Sequence, residues 1–102
     1  MPRLYEIEYA QGVASDLVRI HAFDRKQILD RIDQELAYQP THKTRNKKML
    51  SGLVPPWESV EPVWELRIRG YRVFYDVDQA GLRVVVRAIR QKPPHKQTED
   101  II

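Results

Sequence analysis

A chain of 102 residues has room for one domain with a modest core, and its 42% hydrophobic and 30% charged residues fit a soluble globular protein. There is no run of about 18 apolar residues to span a membrane. The absence of cysteine removes disulfides, thiolate nucleophiles and cysteine zinc sites, and suits a reducing cytoplasm. The formal net charge is +3 and the pI near 9.3, but the excess is local: residues 42–48 carry four Lys or Arg and no acid. Such clustering points to an acidic partner, either nucleic acid or an acidic protein.

From Met1-Pro2-Arg3 the chain enters an alternating segment with no apolar signal-peptide region. Leu4 to Tyr9 reads as a strand with Tyr5, Ile7 and Tyr9 on one face and Glu6 and Glu8 on the other. Val13, Leu17 and Ile20 fall at helical spacing, which predicts a short helix over residues 12–21. Asp24, with Gln27 three residues on, resembles a capping box opening a 14-residue helix, RKQILDRIDQELAY. Ile28, Leu29, Ile32 and Leu36 form its apolar stripe, which a sheet's apolar face requires as cover. Gln39-Pro40 ends it.

Residues 40–62 are irregular, with Pro40, Pro55, Pro56 and Pro62. The basic run His42-Lys43-Thr44-Arg45-Asn46-Lys47-Lys48 lies within them. Long irregular segments in compact domains are usually functional or pinned by local structure. Leu50, Leu53 and Trp57 are available as pins, which would display the run beside the sheet. The alternative is a solvated linker whose charge serves solubility.

Val63 to Val77, VWELRIRGYRVFYDV, alternates, breaks at Arg69-Gly70 and alternates again. A two-residue hairpin loop there sets Ile68 opposite Tyr71, Arg67 opposite Arg72, Leu66 opposite Val73, Glu65 opposite Phe74 and Trp64 opposite Tyr75. One face is then wholly apolar or amphipathic, and a one-residue slip would destroy that separation. Asp78 to Gly81 reads as a turn and Leu82 to Arg90 as a third strand. A four-residue loop would put Val77 opposite Leu82, Tyr75 opposite Val84 and Arg72 opposite Arg87. Arg67, Arg72 and Arg87 would then form a row across three strands. Like charges directly opposite each other cost a few tenths to about 1 kcal/mol per pair, so the row is a poor stability device. It reads either as a platform for phosphodiester or as a solvated face partly neutralised by Glu65 and Asp76. A plain single-strand-binding platform would need more stacking aromatics than Phe74, the one such residue on this face. Gln91 to Lys96, with two prolines, cannot continue a central strand. Thr98 to Ile102 reads as the start of a C-terminal helix capped by Thr98.

The order strand, two helices, basic loop and three antiparallel strands resembles the RelE/ParE superfamily of bacterial type II toxins. The residues that carry the resemblance are Lys48-Met49-Leu50-Ser51-Gly52-Leu53, Trp64-Glu65-Leu66-Arg67, Gly70-Tyr71-Arg72-Val73-Phe74-Tyr75 and Arg90-Gln91-Lys92. The resemblance covers nearly the whole chain. It implies one α+β domain over residues 1–102, a four-stranded sheet with helices on one face and a short C-terminal helix. It also implies a cytoplasmic toxin silenced by a cognate antitoxin in a hetero-oligomer. RelE-like members cleave mRNA on the ribosome through attack of the 2′-OH on the neighbouring phosphate, with no metal or other cofactor. ParE-like members poison DNA gyrase. A degenerate relative would only bind its antitoxin.

On the RelE-like reading Arg72 matches the family's catalytic arginine, with Arg67 beside it and Lys92 in place of a second functional arginine. Two lysines of RelE correspond to Val63 and Glu65, and a C-terminal tyrosine corresponds to a position near Thr98. Glu65 and His95 are the residues offered for the base and acid roles that some relatives give to a carboxylate and a histidine. Lys43, Arg45, Lys47, Lys48, Arg87 and Arg90 would contact RNA backbone.

Overall fold

The computed structural model describes residues 4–102. Met1–Arg3, expected to lead into the first strand, lie outside the described residues. The elements in chain order are β1 (Glu6–Tyr9), α1 (Val13–Val18), α2 (Ala22–Leu36), β2 (Lys47–Leu50), β3 (Val63–Ile68), β4 (Tyr71–Asp78), β5 (Arg83–Gln91) and α3 (Thr98–Ile101). They form one α+β unit whose sheet order is β1-β5-β4-β3-β2, with β1 parallel to β5 and the other neighbours antiparallel.

The β3–β4 hairpin has the expected register at all five pairs, from Ile68↔Tyr71 to Trp64↔Tyr75. Alternation sends Trp64, Leu66, Ile68, Val73 and Tyr75 to one face, where they meet Val13 of α1, Ile20 of the connection after it, and Ile28, Ile32 and Leu36 of α2. Tyr75 spans this core and donates its hydroxyl to Pro40 O at 2.6 Å. The opposite face carries a smaller cluster, Val63, Phe74 and Ala88, covered by Leu50, Trp57, Ile101 and Ile102. The irregular segment and α3 therefore both fold onto the second face.

The sheet has five strands, where four were expected. The fifth comes from the basic run. Thr44 Oγ1 accepts from the backbone N–H groups of Asn46 and Lys47 and turns the chain. Lys47–Leu50 then pairs with β3. Lys47 is opposite Leu66 and so points into the helix-covered face, whereas Lys48 is opposite Glu65 on the other. A lysine flanked by charge gives no sign of this inward turn.

Two caps differ from expectation. α2 begins three residues before the anticipated Arg25, with His21 as N-cap, its Nδ1 accepting from Phe23 N at 3.3 Å. Asp24 lies in the first turn and instead accepts from Tyr71 Oη at 3.1 Å. At α3 the N-cap is Gln97, and its backbone N–H donates to Asp100 Oδ2. The hydroxyl of Thr98 is engaged elsewhere.

The β4–β5 register also departs from expectation. Leu82 has φ +53° and belongs to the turn, so Asp78 pairs with Arg83 and Val77 with Val84. Gly81 fits because a Cβ there would meet the Asp78 carboxylate at 2.5 Å. A bulge between Phe74 and Tyr75 then moves the register by one further residue. The result sets Arg72 opposite Arg90, with Arg87 as the extra, unpaired residue of β5.

Candidate functional site

The second sheet face gathers Glu65 and Arg67 from β3, Arg72 from β4, Arg87 and Arg90 from β5 and Lys48 from β2. The arginine row exists, but it is Arg67–Arg72–Arg90. Arg87 is displaced from it by the bulge and is held by Asp76, with Nε 2.8 Å from Oδ2.

Glu65 is the hub. It is 3% exposed. Its Oε1 accepts from Thr98 Oγ1 at 2.9 Å and lies 3.5 Å from Arg72 Nε. Its Oε2 lies 3.7 Å from Lys48 Nζ. The Arg72 contact is an ion pair without hydrogen-bond alignment at Nε. Arg72 spends its Nη1 protons on the carbonyls of Arg69 and Tyr71, at 3.1 and 2.9 Å. Burial pushes the Arg72 pKa down, Arg67 adds to that effect and Glu65 opposes it. Glu65, offered for the base role, lies beneath the sheet surface as a counter-ion, with Oε1 facing Thr98 and Arg72 and Oε2 facing Lys48. Its burial follows from α3, whose Thr98 seals it and whose Ile101 packs beside it on the small apolar cluster.

Arg90 is also held. Its Nη1 lies 2.8 Å from Asp16 Oδ1, and its guanidinium stands 5.2 Å from the ring centroid of Trp57. Asp16 uses its other oxygen to accept from Ile89 N at 3.0 Å. Of the four arginines on this face, Arg72, Arg87 and Arg90 have carboxylate partners, and Arg67 has none among the described residues. The partial neutralisation anticipated for the face is thus real, pair by pair. The surplus positive charge is left at one corner, on exposed Arg67 and exposed Lys48 around the deeper Arg72.

The remaining candidates fall around that corner or away from it. Lys92 donates its backbone N–H to Gly70 O at 2.7 Å and so sits beside the hairpin turn. His95 is exposed on the segment leading to α3. It stands three positions before Thr98, which bounds their backbone separation at about 11 Å. Lys43 and Arg45 are exposed on the turn before β2. Lys47 does not belong with them: it is 2% exposed, donates to Gln39 O at 2.7 Å and lies 3.3 Å from Glu35 Oε2. Its β-strand register, which aims it at the helices, is the physical reason.

Three participants carry no local sign of belonging to this site. By sequence Thr98 reads as a helix cap, Trp57 as a pin and Asp16 as one polar residue on a short helix. Their roles depend on contacts with partners 33 to 74 positions away in sequence: Thr98 with Glu65, Trp57 with Arg90, and Asp16 with Arg90. No local pattern signals such contacts.

A family model for the ParE toxin of the type II toxin–antitoxin system parDE matches residues 7–92. Solved structures share the fold. The RelBE2 toxin–antitoxin complex of Mycobacterium tuberculosis contains a chain with a TM-score of 0.70 at 16% identity, covering 88% of this chain and 93% of that one. The RelE–RelB complex of Pyrococcus horikoshii OT3 gives 0.69 at 19% identity, covering 92% and 99%. The isolated RelE toxin of Escherichia coli gives 0.63 at 17% identity, covering 94% and 92%. A comparison with curated proteins finds no significant match.

Proposed function

Because this chain belongs to the RelE/ParE superfamily of type II toxins, with a ParE family match over residues 7–92, we propose that it acts on RNA, as a ribosome-dependent mRNA endoribonuclease restrained by a cognate antitoxin. The observation that supports this reading is the charged corner of the second sheet face. Arg72 is fixed by Glu65 and two backbone carbonyls, and exposed Arg67 and Lys48 flank it. A phosphate seated there would meet a guanidinium whose geometry is already set, which is how positive charge is made effective against a developing phosphorane.

The reaction needs a base that removes the 2′-OH proton, cations for the charge that grows on phosphorus oxygens, and an acid that protonates the departing 5′-oxygen. Attack of the 2′-oxygen on phosphorus breaks the bond to the 5′-oxygen and leaves a 2′,3′-cyclic phosphate and a 5′-hydroxyl. Arg72, Arg67 and Lys92 supply cations on this reading. His95 supplies proton transfer on this reading. Glu65 orients Arg72 instead of acting as the base. Lys43, Arg45 and Lys48 hold RNA backbone.

One observation favours a second reading. The matching family description is that of ParE, and the carboxylate of the site is withdrawn from solvent. A gyrase poison needs neither a base nor an acid. Pulse expression of the chain in a bacterium separates the two, with mRNA 5′ ends mapped and gyrase-linked DNA breaks scored in the same cells. Cuts within translated codons that vanish with Arg72→Ala support RNA cleavage. DNA breaks without mRNA cuts transfer the protein to the gyrase class.

A further inference from the structure

We propose that the cleft beside Trp57 and Arg90 is a nucleobase subsite, taking an RNA base that carries an exocyclic amino group. It deepens the RNA-cleavage reading and rests on it. The cleft is ≈ 370 Å³ and is bounded by Asp16, Trp57, Glu58, Arg87, Arg90 and the 10–12 turn. That volume falls within the range of ligand pockets, about 300–1,000 Å³.

Three features argue for a base in this position. The Arg90 guanidinium lies over Trp57, and its bond to Asp16 holds it there. The Arg90 side chain remains 32% exposed. A guanidinium plane held this way is a stacking surface of the kind that receives unpaired RNA bases. The charge of the cleft excludes phosphate as the preferred occupant: Arg90 is balanced by Asp16 and Arg87 by Asp76, while exposed Glu58 adds a carboxylate. A neutral base with N–H donors suits that wall, and an anion does not. Finally, the register sets Arg90 directly opposite Arg72, and neighbouring strands are about 4.8 Å apart. A base on Arg90 therefore belongs to the nucleotide next to the phosphate at Arg72. The charge-rich corner holds the backbone, and the charge-balanced cleft reads the base.

The test is a titration of the full chain with adenosine, uridine and ribose 5-phosphate, observed by the two indole N–H resonances in a nitrogen–proton correlation spectrum. Trp57→Phe assigns them. Adenosine should shift the Trp57 signal saturably and leave that of Trp64 in place, because Trp64 is buried against Tyr75 in the other core. Uridine should bind more weakly. Arg90→Lys should weaken adenosine binding about tenfold, the scale of one lost base stack. Glu58→Gln, at an exposed position that leaves the fold intact, should narrow the preference for adenosine over uridine. Absence of a Trp57 shift, or an equal response to ribose 5-phosphate, overturns the subsite. Arg72→Ala separates the two claims. If it removes mRNA cutting while adenosine never binds, the RNA-cleavage reading stands and the subsite falls. If adenosine binds and the chain cuts no mRNA, the subsite stands without that reaction.

Discussion

Thr98 donates its hydroxyl to Glu65 at 2.9 Å across a gap of 33 residues, and this one bond joins the C-terminal helix to the charged centre of the sheet. The carboxylate it seals is the counter-ion of Arg72. Loss of the hydroxyl would leave a buried acceptor short of a donor, which costs about 1.5–3 kcal/mol when the partner is charged. Thr98→Val should lower the unfolding free energy by about that amount, and Thr98→Ser should restore most of it. Urea denaturation of the three proteins checks this. Equal midpoints would mean that α3 closes the site by its isoleucines alone.

Lys47 and Lys48 are adjacent but face opposite sides of the sheet, and Lys47 differs in the same way from the exposed cations of the turn before it. Lys47→Ala removes a buried cation from Gln39 O and from Glu35, which stays 31% exposed and keeps Arg31, so the lost bonds should cost about 1–3 kcal/mol. Lys43→Ala and Arg45→Ala change exposed side chains and should alter stability by no more than about 0.5 kcal/mol. On the proposed RNA-cleavage reading they should instead flatten the salt dependence of RNA binding, by about 0.7 in log–log slope for each phosphate left without its cation. Filter binding at several salt concentrations, paired with denaturation, distinguishes the two roles. Slopes equal to that of the unaltered chain for Lys43→Ala and Arg45→Ala would reduce the turn to a solvated connection.

Tyr75 makes the protein sensitive to alkali. Its hydroxyl is buried against Pro40 O, and burial, then the charge of Glu35, pushes its pKa far above the ordinary value of 10.0. The unfolded chain releases this proton near pH 10 while the folded one retains it. Stability from this group is therefore complete below about pH 10 and falls as pH rises further. Tyr71 shifts in the same direction, by burial and by its bond to Asp24. Denaturation midpoints measured from about pH 8 to about 11.5 should decline above about pH 10, and Tyr75→Phe should decline less steeply from a lower starting value. An unchanged slope would assign alkaline loss to other groups.

Arg69 carries the conformational strain of the hairpin. Its φ is +53°, a region that costs an ordinary residue about 1 kcal/mol and that asparagine tolerates better. Its contact with Arg72 runs through the backbone carbonyl, which a substitution keeps. Arg69→Asn should raise stability by up to about 1 kcal/mol without disturbing Arg72. A higher melting temperature would agree; destabilisation would show that the Arg69 side chain makes a contribution of its own.

Local order is readable in the sequence. The alternation of Val63 to Val77 around Arg69-Gly70 determined the hairpin and its register, because only one pairing keeps Trp64, Leu66, Ile68, Val73 and Tyr75 on a common face. The stripe Ile28, Ile32 and Leu36 likewise determined which side of α2 is buried. The identity of the arginine row, the inward turn of Lys47, the closure of Glu65 by Thr98 and the clamp of Asp16 on Arg90 were decided by tertiary structure. Each depends on a bulge, a strand edge or a contact between distant segments. Periodicity follows from the geometry of one strand or helix, and so it is written in consecutive residues. The charge pairing of the second sheet face follows from which segments the fold brings together, and no single stretch of this chain encodes that.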